Sequence, residues 1–287
     1  MSARNNQDRV GTAPNPDPPP MMESDNKQSA PSLSFSTPTE FVDLPSGGRY
    51  YAEGHPLHKA TNIEIKFMTA KDEDILSSRN LIKQGVVIDR LLANVVVDKK
   101  VNPDDMLIGD KNALIVAARI TGYGEEYNTN VNCPVCGLAS QFSTNLQEIE
   151  PSRGGADGVD NVDETEKGTF IFALPRSKAT VEIRLLTGAD EKKLQQLSQK
   201  KKKYELGETT FTDQLRTMIV SVNGNDDLSL ISSLVENMPA SDSRYLREVF
   251  RGITPNIDMT QVFECQNCGH SGNMEVPFTA DFFWPGR

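Results

Sequence analysis

Apolar residues recur every second position in some stretches of this chain and every third or fourth in others, and the switch between the two periods marks out its elements. Residues 62–68 alternate as a strand. Thr69 then opens a helix, with Asp72 in the place of the usual Glu of a capping box, and the helix runs through Leu76 and Ile82 to stop near Gly85. Val87, Ile88, Leu91, Leu92, Val95 and Val96 form a second helical stripe. Asn102-Pro103 reads as a cap followed by proline at the first helical position, and Asp110 as the cap of a further helix over 113–120, ended by Gly122. Alternation returns at 126–132 and again at 139–146. A hairpin follows over 169–174 and 180–186, turned at Pro175, Arg176, Ser177 and Lys178. Thr187 with Asp190 resembles another capping box, for a helix to about Tyr204. An apolar segment runs from Thr210 to Val220, helices follow over 227–236 and 241–252, and strands over 260–264 and 272–278.

These elements predict an α+β protein in several segments. Residues 1–32, rich in proline among Asn, Asp, Ser and Gln, read as a disordered tail with almost nothing to bury. Residues 33–60 form an extended arm and 61–125 a helical unit. A zinc-ribbon-like pair of hairpins, 126–147 plus 259–287, is split by an inserted α+β unit over 169–258. Between them, 148–168 is acidic and Gly-rich, lacks the alternating order of a calcium loop, and reads as a mobile surface loop.

The chemistry sits in two matched hooks. Cys133-Pro134-Val135-Cys136-Gly137 and Cys265-Gln266-Asn267-Cys268-Gly269 are both Cys-x-x-Cys-Gly, and they hold all four cysteines of the chain. Each places two thiolates on one turn, and the glycine lets backbone N–H groups turn back toward the sulfurs. Four thiolates complete the closed shell of a structural Zn²⁺ site, with no open position for catalysis. Two disulfides would need an oxidising compartment, a thioredoxin-like redox pair would need one hook rather than two, and unrelated buried thiols leave the repeated glycine unexplained. His270 follows the second hook and is a further candidate for contact with a thiolate.

Composition narrows the class. The 287 residues carry a formal net charge of −10 at 37% hydrophobic content, which disfavours general attraction to nucleic acid and suits protein partners. No apolar run reaches the length of a membrane span, so a soluble cytoplasmic product is expected. No nucleophile elbow, P-loop or His-Glu-x-x-His is present, and His55, His58 and His270 form no triad pattern, so no enzyme activity and no small-molecule substrate are expected. Lys200 to Lys203 in series suit the C-terminal end of a helix dipole better than a phosphate site. The candidate partner contacts are apolar or aromatic: Phe41, Leu44, Arg49, Tyr50 and Tyr51 on the arm, and Phe282, Phe283 and Trp284 at the terminus, either folded back or anchored in another chain.

Phe41-Val42-Asp43-Leu44-Pro45-Ser46-Gly47-Gly48-Arg49-Tyr50-Tyr51, the stretch from Glu64 to Leu76, and Cys-Pro-Val-Cys-Gly together resemble the baseplate hub-associated proteins of T-even-like contractile-tailed bacteriophages. The similarity is strongest from about 41 to 147, and the first forty residues lie outside it. It implies a non-enzymatic virion or assembly protein of the tail baseplate, acting in the host cytoplasm by binding other baseplate subunits. Deleting 41–51 is then expected to abolish co-assembly and leave the chain folded. The alternative is a zinc-ribbon nucleic-acid-binding or transcription-associated protein, against which the acidic balance and the few basic residues near the hooks both argue.

Overall fold

The arm builds the first sheet. A computed structural model of the chain describes residues 37–204, 209–276 and 282–283; the tail over 1–32 and Trp284 lie outside the described residues. Strand β1 (Thr39–Asp43) pairs antiparallel with β2 (Asn62–Lys66), Phe41 opposite Glu64. The loop between them turns inward, burying Leu44, Tyr51 and Leu57.

Helix α1 (Ala70–Ser77) starts at the expected Thr69–Asp72 capping box, the Asp72 carboxylate accepting from Thr69 N at 2.9 Å and Thr69 Oγ1 at 2.7 Å. The single helix expected to Gly85 is broken at Ser78, after which α2 (Arg79–Gln84) restarts. Ser77 and Ser78 are weak helix formers, and Ser77 Oγ bonds back to the carbonyl of Asp74. Helix α3 (Val87–Val95) buries Leu91, Leu92 and Val95, the stripe read from the sequence. Asn102-Pro103 starts no helix. Asn102 Oδ1 accepts from Asp104 N within a short turn, and the chain then runs extended so that Met106 and Leu107 reach the core.

Helix α4 (Ile108–Tyr123) is the centre of the molecule, buried on nearly every side as an all-round apolar helix must be. Its N-cap is Leu107 rather than Asp110, and the Asp110 carboxylate serves the arm instead of a cap. It accepts from Ser46 N at 2.9 Å, Ser46 Oγ at 2.6 Å and Tyr51 OH at 2.7 Å, while Tyr51 OH accepts from Leu107 N at 3.0 Å. At the other end Arg119 donates to the carbonyls of Gly124 at 2.8 Å and Glu126 at 3.2 Å, fixing where the next strand leaves the helix.

Strands β3 (Glu126–Asn132) and β4 (Ala139–Asn145) form a hairpin with strict alternation, Tyr127, Thr129 and Val131 facing in. The acidic stretch is held down rather than free: β5 (Pro151–Ser152) and β6 (Asp163–Glu164) lie within it, and Val162 is buried. β6 is the edge of a four-stranded antiparallel sheet with β7 (Thr169–Ala173), β8 (Thr180–Arg184) and β9 (Ile219–Val222), in that order.

Helix α5 (Gly188–Lys203) starts at the Thr187–Asp190 box, where Asp190 also accepts from both terminal guanidinium nitrogens of Arg184 at 2.7 Å. The apolar segment from Thr210 divides into α6 (Thr210–Met218) and β9 without a loop. Helices α7 (Leu228–Asn237) and α8 (Ala240–Ile253) follow, and β10 (Asn256–Ile257) returns to pair with β5. A second hairpin, β11 (Thr260–Glu264) and β12 (Ser271–Glu275), ends the described sheet structure. From Thr37 onward the chain is one unit of mixed helix and sheet around one continuous apolar core.

Candidate metal centre

Each hook closes the tip of its hairpin in the same way. In the first, Cys133 N donates to Leu138 O at 3.0 Å and Gly137 N to Cys133 O at 2.9 Å; in the second, Cys265 N donates to His270 O at 2.8 Å and Gly269 N to Cys265 O at 2.9 Å. Gly137 at φ +72° and Gly269 at φ +69° hold the left-handed turn that a side chain would strain. The repeated glycine therefore has a backbone reason.

The hairpins then meet. Phe142 of β4 packs edge-on against Phe263 of β11 with centroids 5.8 Å apart, and Gln266 N reaches Ser140 Oγ at 3.4 Å. This brings the sulfurs of Cys133, Cys136, Cys265 and Cys268 within 4.8 Å of one another. Cys133 Sγ lies 3.7 Å from Cys268 Sγ, and Cys136 Sγ lies 3.8 Å from Cys265 Sγ, although the latter pair stands 129 positions apart in the chain. No disulfide joins them. The spacing is also that of a metal shell, since a tetrahedron of sulfurs about 2.3 Å from its centre has edges of about 3.8 Å. The donor set fits a closed structural site.

Electrostatics points the same way. N–H groups of Cys268 and Asn267 pull the Cys265 thiol down to about 6, and the Leu138 N–H lowers that of Cys136. The His270 N–H draws Cys268 down, but desolvation and the sulfurs of Cys265, Cys133 and Cys136 outweigh it and push that thiol up to about 12. Four thiolates this close repel one another, and a divalent cation at their centre removes the conflict. The side chain of Asn267 adds a contact at 3.8 Å to Cys136 Sγ. His270 supports the cluster through its backbone, while its ring lies over Gly272. Ser140, Asn267, Phe142 and Phe263 escaped the sequence reading; the inward register of Ser140 and Phe142 in the β4 alternation was the available signal.

The side chains expected to grip a partner divide. Phe41 is 69% exposed. Arg49 pairs with Glu164 at 3.1 Å and lies 5.3 Å over the half-buried Tyr50, which tilts onto Phe170. Leu44 and Tyr51 are buried in this chain's own core, as are Phe282 and Phe283, with Phe282 edge-on to Tyr127 at 5.0 Å. Deleting 41–51 would therefore remove core side chains and the Asp110 latch, so the folded truncated chain expected from the sequence does not follow. His55 stacks on Tyr51 with centroids 4.5 Å apart and His58 Nδ1 meets Tyr51 O at 2.7 Å, so both serve the arm.

What the fold and the centre define is a mixed α/β protein in which two hairpins, remote in sequence, converge on a four-thiol cluster. Such a chain has a known family. It belongs to the T4 bacteriophage base plate protein family, whose model matches residues 37–284. The match covers both hairpins and everything between them, so the resemblance read over 41–147 extends through the insertion. No curated protein and no solved structure matches the chain. The family makes it a phage base plate protein of the virion tail. Among the described residues no helix is long and apolar enough to cross a membrane.

Proposed function

We propose that this chain is a non-enzymatic structural or assembly component of the hub region of a contractile-tail baseplate. It binds other baseplate subunits, and Cys133, Cys136, Cys265 and Cys268 hold one structural Zn²⁺ in a split zinc ribbon. The convergence of four thiols from two chain-distant hairpins carries this reading. A closed four-sulfur shell leaves a metal no position for substrate, so its role is to fix shape. Subunits take up the ion and fold in the host cytoplasm, where thiols stay reduced, before entering the tail. The histidines support a non-catalytic role, since His55 and His58 are spent on the arm. Phe41, exposed on the edge strand β1, is the arm side chain best placed to meet a neighbour.

Metal analysis of the purified chain, joined with mass spectrometry of purified virions and tail-assembly intermediates, tests the whole reading. One zinc per chain is expected, together with the protein in virions or in baseplate intermediates. A chain without bound metal overturns the zinc assignment, and absence from both virions and intermediates overturns the baseplate role.

A further inference from the structure

A groove of about 610 Å³ opens between α6 and α8 and carries a charge pattern opposite to that of the chain as a whole. Its floor is apolar, made by Ile108, Leu186, Met218 and Ile257. At its mouth stands Phe211, 62% exposed, with the Arg247 guanidinium 4.9 Å from the ring centroid. Arg251 lies one helical turn further along α8 on the same wall.

These two arginines differ from their neighbours. Arg184, Arg216 and Arg244 each meet a carboxylate, whereas among the described residues Arg247 and Arg251 meet none. Arg247 is held by its own helix, Nε donating to Ser243 O at 3.2 Å, and its guanidinium sits over the Phe211 ring at the groove mouth. The acid among the lining residues, Asp258, is engaged locally, accepting from Thr260 N at 2.9 Å. Two cations with no acidic partner among the described residues, in a chain of net charge −10 and set around an apolar trough with an exposed ring, form a surface built for a complement.

We propose that this groove docks an acidic segment of a neighbouring baseplate subunit, one that carries an apolar side chain beside two carboxylates. The spacing fits. Cβ atoms at i and i+4 on α8 lie about 5–6 Å apart. Alternate residues on one face of an extended segment are about 7 Å apart. Two such carboxylates can therefore each meet one arginine while an apolar residue at the next position on the same face enters the trough against Met218 and Phe211. Arginine forks favour carboxylates, and the buried floor supplies the area that the ion pairs alone lack. That the partner is a baseplate protein rests on the reading above; the chemistry of the groove does not.

Fluorescence anisotropy on the purified full-length chain tests the groove alone. The probes are a labelled peptide with Glu, Glu and Leu at three successive alternate positions and Ser between them, its counterpart with Lys at each Glu, and a labelled single-stranded oligonucleotide. The acidic peptide is expected to bind, and Arg247→Glu with Arg251→Glu to weaken it by about tenfold or more. Phe211→Ser, which alters an exposed position, should weaken the same peptide without changing its salt dependence. Equal binding of acidic and basic peptides, preference for the oligonucleotide, or full binding by the double variant would overturn the proposal. Each variant is checked for unchanged zinc content and helical circular dichroism. Failure here leaves the virion result untouched, and absence from virions leaves the groove chemistry untouched.

Discussion

Asp110 shows how one carboxylate can be read correctly as important and wrongly as to role. A helix-opening Asp before an apolar run is a local cap signal, and nothing in its immediate sequence announces that Ser46 and Tyr51, some sixty positions earlier, will claim both of its oxygens. Tyr51→Phe removes the hydroxyl that donates to Asp110 and accepts from Leu107 N, leaving the Leu107 N–H without that partner and Asp110 with only its two bonds from Ser46. A loss of about 1–3 kcal/mol is expected in urea unfolding. A loss near zero would mean that water replaces the hydroxyl. The acids also differ in sign with pH. Burial lifts Asp110 above the ordinary carboxyl range despite its hydrogen bonds to Ser46 and Tyr51, so its contribution is full below the unfolded value of about 4 and is lost as pH rises through the folded one. Burial alone would also raise Asp190, but the Arg184 guanidinium and the Thr187 N–H prevail and hold it low. Its contribution is therefore present above about 4 and is lost as pH falls through its folded value. Asp190→Asn should accordingly destabilise at neutral pH and cost progressively less as the pH drops below about 4, measured as the difference in unfolding midpoint from the unaltered chain. A difference independent of pH would remove Asp190 from the acid response.

At the scale of elements, what was legible was local. Both capping boxes, the α3 stripe and the alternation of β3 and β4 depend on residues within a few positions of one another, and all are found. The misses are places where a distant neighbour outweighed a local preference. The helix start read at Asn102-Pro103 yields to a turn because Met106 and Leu107 must enter the core, and the acidic stretch is drawn down because β5 and β6 find partners in β10 and β7. Gly109 illustrates the cost of such an approach. Inside α4 a glycine is intrinsically unfavourable, yet a Cβ there would lie 1.8 Å from the carbonyl oxygen of Pro255. Asn112 Nδ2, one turn on, donates to Asn256 Oδ1 at 3.1 Å and holds the same contact. Gly109→Ala should therefore destabilise by about 1–3 kcal/mol through overpacking, although propensity alone predicts a gain. Thermal unfolding decides the sign, and a raised midpoint would show that the Pro255 backbone gives way freely.

For the molecule as a whole, the pairing of the two hooks could be read from the sequence because the motif repeats itself, glycine included. That one apolar core would run through helices, insertion and hairpins could not, since no local pattern encodes which faces meet. The reach of the proposed Zn²⁺ follows from that arrangement. A two-stranded hairpin is marginal by itself, and both β3–β4 and β11–β12 are two-stranded, linked through the Phe142–Phe263 contact, the hydrogen bond from Gln266 N to Ser140 Oγ and the sulfur cluster. The sheet β6–β9 and α4 instead rest on buried Phe170, Phe172, Val181, Ile183 and Leu114, none of which belongs to a hook. Structural zinc contributes about 10 kcal/mol or more in small domains, comparable with the entire stability of an ordinary fold. Removing it should therefore loosen the hairpins first and lower the stability of the rest through the lost closure of the long intervening loop. Hydrogen exchange followed by mass spectrometry, with and without a strong chelator under reducing conditions, should show protection lost over 126–145 and 260–275 while β7, β8 and α4 keep theirs. Equal loss everywhere would make the metal the nucleus of the whole fold, and no loss at the hairpins would mean that aromatic packing, not the ion, binds them together.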